Sequence, residues 1–140
     1  MSAEANKAAV RRLIEEVMNG RNPDALDEIV AGDVVHHSLP PGMPQGIESY
    51  RALTSGYTVA FPDLQATIDD LIAEGDRVVV RMTNRGTHQG EFMGIPPTGK
   101  RIEVSAITML RFADGKLAEE WVQADMLGVM EQLGVVPAPQ

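Results

Sequence analysis

Residues Leu110–Gly134 read LRFADGKLAEEWVQADMLGVMEQLG. Asp114-Gly115 lies between two alternating runs, the strongest short-range signal for a β-hairpin. The second run, Lys116 to Asp125, has period two. A regular strand there puts Leu117, Glu119, Trp121, Gln123 and Asp125 on one face, and Lys116, Ala118, Glu120, Val122 and Ala124 on the other. The first face mixes the only Trp with a carboxamide and carboxylates, as the wall of a small-molecule cavity does. Asp125 closes the strand, and a short apolar helix follows from Met126 to Leu133.

Upstream of this hairpin the pattern is β as far back as Leu64. Leu64, Ala66, Ile68 and Ile72 alternate with Gln65, Thr67 and Asp69, and Glu74-Gly75-Asp76 makes a turn. Arg77 to Thr87 is a second strand and Arg101 to Phe112 a third. Between them a long loop carries Gly86, Gly90, Gly94, Pro96, Pro97 and Gly99, with Phe92, Met93 and Ile95 as its apolar content. Loops of this length in compact domains are usually functional.

The N-terminal half is helical. Val10, Leu13, Ile14, Val17 and Met18 recur at helical spacing, and Asn19-Gly20 stops the first helix. Asn22-Pro23 is an N-cap followed by proline at the first helical position, opening a short second helix that carries Leu26, Ile29 and Val30. Asp33 to Ser38 is a brief extended segment. A third helix runs from about Ile47 to Ala60, with Ile47, Tyr50, Leu53, Tyr57 and Phe61 on its buried side, and Pro62 ends it. Helices first and strands afterwards mean α+β: three helices packed on a curved antiparallel sheet of about four long strands, then a short C-terminal helix. Such a cone leaves a pocket between sheet and helices. A single domain spans 1–140, with 135–140 expected to fray.

The composition narrows the function. At 140 residues the chain can bury a real core, and 44% of it is apolar. A net charge of −8 argues against nucleic acid and anionic membrane as partners. The absence of cysteine removes disulfide and thiol chemistry and fits a cytoplasmic protein. No apolar run approaches the roughly 20 residues of a membrane span.

Four segments carry a family resemblance: Asp33-Val-Val-His-His37 before a Pro/Gly loop, Phe61-Pro-Asp-Leu64, Gly86-Thr-His-Gln-Gly-Glu-Phe-Met-Gly-Ile-Pro-Pro-Thr-Gly99, and Arg111-Phe-Ala-Asp-Gly-Lys116 through Trp121 and Asp125 to Gln132-Leu-Gly134. The order of elements resembles the NTF2-like cone, and the detailed string is similar to the SnoaL-like polyketide cyclases, or ester cyclases. The resemblance implies a cofactor-free intramolecular aldol condensation. It implies an Asp at the end of the last long strand as general acid and base, which Asp125 matches. It also implies a homodimer or higher homo-oligomer, to which an open sheet face bearing Val79 and Ile107 contributes. His37, with His36 as the alternative, matches the family's His before the Pro/Gly loop, and His88 that of its Gly-Thr-His segment. The chain departs from the family on the neighbouring strand, where Met109 and Arg111 stand in place of a His and other polar groups.

The expected site therefore has Asp125, His37 and His88 as catalytic groups. Trp121, Gln123, Met82, Met109, His36, Phe92 and Tyr57 are expected to bind a small apolar, poly-carbonyl substrate, with no cofactor and no metal. Each residue has a plainer role open to it. Asp125 is also placed to cap the helix that follows it. Met82, Met109 and Trp121 suit a core, and His88 a solvated loop. One of His36 and His37 must point away from any site, because neighbours on a strand face opposite ways. Arg81 in mid-strand needs a carboxylate partner such as Glu119 or Asp69. Two competing functions remain: epoxide hydrolysis or isomerisation in the same cone, which needs Arg81 or Arg111 near Asp125, and a non-catalytic ligand- or protein-binding module.

Overall fold

The computed structural model describes residues 2–137, so residues 138–140 of the expected tail lie outside it. Helix α1 (Ala3–Arg12) continues without a break into a wider, π-type winding over Leu13–Asn19. Asn22 caps a single 3-10 turn, Pro23–Ala25, which leads into α2 (Leu26–Ile29). Strand β1 (Val30–His36), α3 (Ile47–Ala60), β2 (Gln65–Glu74), β3 (Arg77–Thr87), β4 (Arg101–Ala113), β5 (Lys116–Ala124) and α4 (Met126–Leu133) complete the chain.

The sheet has five strands, in the order β1-β5-β4-β3-β2. The extra strand is β1, whose sequence reads only as a brief extended segment. It pairs with β5 in parallel, so no hairpin signal marks it. The other pairs are antiparallel. Asp114 and Gly115 both take positive φ, 51° and 80°, as the expected two-residue turn requires.

The core lies between the inner sheet face and the helices. Val10, Leu13, Ile14 and Val17 meet Val78, Val80, Leu110, Phe112 and Leu117. A second cluster joins Ala60 and Phe61 to Ile102, Val104, Val129 and Leu133, and so seats α4 at the end of the sheet. The loop after β3 is tied at its neck, where His88 N–H donates to Lys100 O and Gly99 N–H to His88 O, both at 2.8 Å. Gly90 passes so close to the Val59 carbonyl that a Cβ would collide with it.

Two bulges reset which residues face the core. In β2 the register slips between Ile68 and Asp70. Ala66 and Ile68 face inward before the slip, and Leu71 and Ala73 pack inward after it, while Ile72 is 65% exposed. In β5 the slip falls at Ala118: Leu117 pairs with Phe112, but Glu119 pairs with Arg111. One extra residue inverts the alternation beyond it. Leu117 and Glu120 are therefore both buried. Glu119 and Trp121 lie on the outer face, opposite Arg111 and Met109.

Candidate active site

The inner face and the helices enclose a cavity of about 630 Å³. Its walls come from α1 (Val10, Ile14, Val17), α3 (Leu53, Tyr57), β3 (Val80, Met82) and β4 (Ile102, Val104, Ala106). This volume and apolar character suit a small organic ligand. Its polar lining includes His36, Tyr50, Asn84, Thr108 and Glu120.

Glu120 dominates this set. The β5 bulge turns it inward, and its cross-strand neighbour is Leu110. The residue is 7% exposed, and burial pushes its carboxyl up to about 8. Its Oε2 has no hydrogen-bond partner among the described residues. On the other side, the parallel register sets His36 beside it, with His36 Nε2 3.6 Å from that oxygen. Burial lowers the His36 pKa, and the charge of His37 adds to this, so the imidazole is held neutral. The His36 ring meets Tyr50 edge-on, with centroids 5.6 Å apart. Tyr50 OH and Asn84 Oδ1 are also buried without partners among the described residues. Native structures seldom leave such groups unmatched, and a cluster of them lining a cavity marks where a polar ligand group fits.

Ser38 fixes this corner. Its hydroxyl donates to Val122 O at 2.9 Å and accepts from Val122 N–H at 3.0 Å. Its own N–H donates to His36 Nδ1 at 3.1 Å. In the neutral ring that bond leaves the proton on Nε2, which is turned toward Glu120.

The residues expected from the sequence divide sharply. His36, Tyr57, Met82, Phe92 and Gln123 line the cavity. Asp125 does not: it is exposed, and its Oδ1 accepts from Gly128 N–H at 2.9 Å as the N-cap of α4. A Cβ at Gly128 would meet that carboxylate, which would have to shift. His37 is on the outer face. It pairs with Glu119 at 2.6 Å and stacks on Trp121, with centroids 4.9 Å apart. Trp121 also lies beneath the Arg77 guanidinium and, like Met109, is outside the cavity.

His88 is fully buried at the loop neck rather than solvated. Its Nδ1 lies 2.9 Å from Thr98 Oγ1 and accepts from Thr98 N–H, so it holds the loop closed. None of the three expected catalytic residues lines the cavity: Asp125 caps α4, His37 is held outside by Glu119 and Trp121, and His88 is held at the loop neck by Thr98. Arg81 pairs chiefly with Asp70, at 2.6 Å, and with Asp69 at 3.7 Å. Glu119 instead joins Arg111 at 2.9 Å. His37 and then Arg111 hold the Glu119 carboxyl below its usual range. Neither arginine lines the cavity, which counts against the epoxide-opening set; Arg21, which does line it, is engaged with the carbonyls of Asn19, Pro62 and Leu64.

An α+β cone with helices over a five-stranded sheet and an apolar cavity between the layers is the NTF2-like architecture. The SnoaL-like polyketide cyclase family model matches residues 8–133, and the chain belongs to that family. It is 30% identical over 133 residues to the aklanonic acid methyl ester cyclase DauD of Streptomyces sp. (strain C5), covering 89% of this chain and 79% of that one. The nogalonic acid methyl ester cyclase of Streptomyces nogalater is 26% identical over 125 residues, covering 87% and 92%. Among solved structures, TsrD from Streptomyces laurentii superposes with a TM-score of 0.90 at 32% identity, covering 97% and 99% of the two chains. IdmH from Streptomyces antibioticus gives 0.80 at 34%, covering 92% and 98%.

Proposed function

We infer that the chain is a small-molecule enzyme. It closes a ring in an apolar, poly-carbonyl substrate by aldol-type acid–base catalysis, without a cofactor. The cavity carries this reading: about 630 Å³, apolar walls, and one inward carboxyl group with a free oxygen beside an imidazole. A carbon between two carbonyls is acidic enough for a carboxylate of raised pKa to deprotonate it. Folding a flexible substrate over itself lowers the remaining entropic barrier to ring closure. The relatives named as cyclases of aklanonic and nogalonic acid methyl esters support a substrate of this kind. A homodimer through the outer sheet face completes the reading, since Ile107 is 51% exposed there beside Met109 and Ile72.

The test is incubation with aklanonic acid methyl ester, followed by liquid chromatography and mass spectrometry. An aldol ring closure moves a proton and loses no atoms, so the expected product is an isomer of unchanged mass. Substrate recovered unchanged, with no solvent deuterium at its activated carbon, would overturn the enzymatic reading in favour of a binding module.

A further inference from the structure

We propose that Glu120 and His36 are the proton-handling pair of the cavity, Glu120 as base and then acid, His36 as the donor that holds the enolate oxygen. The assignment deepens the ring-closing reading above and rests on it.

Three independent features converge on these two side chains. The Ala118 bulge places a carboxyl group on an otherwise apolar inner face, between Leu110 on β4 and His36 on β1. Burying an unpaired carboxyl there is costly for folding, and Oε2 is left without a hydrogen-bond partner among the described residues. The Ser38 N–H bond to Nδ1 fixes His36 as an Nε2–H donor, so His36 is equipped to stabilise negative charge rather than to remove a proton. The 3.6 Å gap between Nε2 and Oε2 is too long for a hydrogen bond, so each group remains available to a ligand.

The step balances with these groups alone. The Glu120 carboxylate takes the proton from the carbon between two carbonyls. The C–H electron pair becomes the enolate, whose oxygen accepts from His36 Nε2–H. The carbon then attacks a second carbonyl carbon of the same molecule. A C–C bond forms, the C=O π pair moves onto oxygen, and that alkoxide takes the proton back from Glu120. The carboxylate is regenerated and no oxidant or reductant enters.

Only the ionised form of Glu120 starts the cycle, so the rate must climb with pH toward its titration near 8. The titratable or charged groups that share the cavity are His36 on β1, Tyr50 and Tyr57 on α3, and Arg21 after the first helix. Arg21 is engaged with the carbonyls of Asn19, Pro62 and Leu64.

The experiment uses methyl 2-naphthoylacetate, an aromatic β-keto ester, as probe. Enzyme-dependent entry of solvent deuterium between its carbonyls is followed by NMR for the wild type, Glu120→Gln, His36→Gln and Asp125→Asn. The wild-type rate is expected to rise with pH and level off above about 8. Glu120→Gln should lower it about 10²-fold or more, in keeping with the loss of a general base. His36→Gln should lower kcat with little change in KM, and Asp125→Asn should match the wild type. An active wild type with an equally active Glu120→Gln overturns this assignment alone. A wild type that binds the probe without exchanging it overturns the ring-closing reading as well. If Glu120→Gln does not fold, the wild-type pH profile decides. A rate that levels off near the ordinary carboxylate value of about 4.3 overturns the role of Glu120.

Discussion

At Asp125 and Glu120 the chain places two carboxylates five residues apart in opposite environments. Asp125 is exposed and accepts a hydrogen bond from a helix N-terminus. Removing that bond in Asp125→Ala should cost about 0.5–2 kcal/mol of stability, while Asp125→Asn should keep most of it, because Asn caps as well as Asp. Urea denaturation of the two variants checks this, and equal losses would contradict the capping role. Glu120 has the reverse problem. Its folded pKa of about 8 lies above the unfolded value of about 4.3. Between the two the native state binds more protons than the unfolded chain, so stability falls as pH rises through that window. A carboxamide in its place would not titrate. Glu120→Gln should therefore gain on the wild type, by on the order of a few kcal/mol, between about pH 5 and about pH 9. Parallel pH profiles of stability for the two proteins would contradict a buried, unpaired carboxyl. The Asp125 cap is legible in the sequence, since the residue directly precedes an apolar helical run. The role of Glu120 is hidden there, because strict alternation puts it on the face opposite Trp121, Gln123 and Asp125, and only the bulge turns it inward.

Strand β5 is where that difference arises. Its alternation is legible from Lys116 to Asp125, and its hairpin with β4 forms where Asp114-Gly115 places it. What the alternation does not reveal is the extra residue at Ala118, since a bulge without a glycine or proline leaves no local mark in composition. The slip moves Trp121 and Glu119 to the outside and Glu120 to the inside, so the apolar and polar faces of the strand exchange roles. The slip in β2 does the same to Ile72. Strand β1 is legible only as an extended segment, because its partner lies some 85 residues downstream (His36 beside Glu120) and contributes nothing to local pattern. Ser38 is the element's fastening. Ser38→Ala removes both side-chain bonds to Val122, at a cost of about 1–2 kcal/mol. It should also speed hydrogen exchange at the Val122 amide, and unchanged exchange there would mean that β1 is held by other contacts.

For the whole molecule, the helices-then-strands order and the family motifs carry the α+β cone correctly, because hydrophobic periodicity and turn chemistry are local properties. Cavity contents depend on strand phase and on packing between distant segments, which local pattern does not carry: Met82, Phe92, Tyr57 and His36 line the cavity, and His88 and Trp121 do not. The outer sheet face joins exposed Ile72, Ile107 and Met109 to alternating ion pairs such as Arg81–Asp70 and Arg85–Glu103. Both signs of charge on one face allow it to meet its own copy. If two copies pair through this face, Ile107→Glu should lower the mass to that of a monomer in sedimentation velocity; a wild type that is already monomeric, or a mass unchanged by the substitution, would contradict a homodimer there. Chemistry inside the cavity requires a carboxyl group kept from water, which Glu120 supplies. The most direct measurement is the titration of the Glu120 side-chain carbon by 13C NMR in the full-length protein, assigned with Glu120→Gln. A midpoint near 8 is the expected result. A midpoint near the ordinary value of about 4.3 would mean a solvated carboxylate and a cavity without its base.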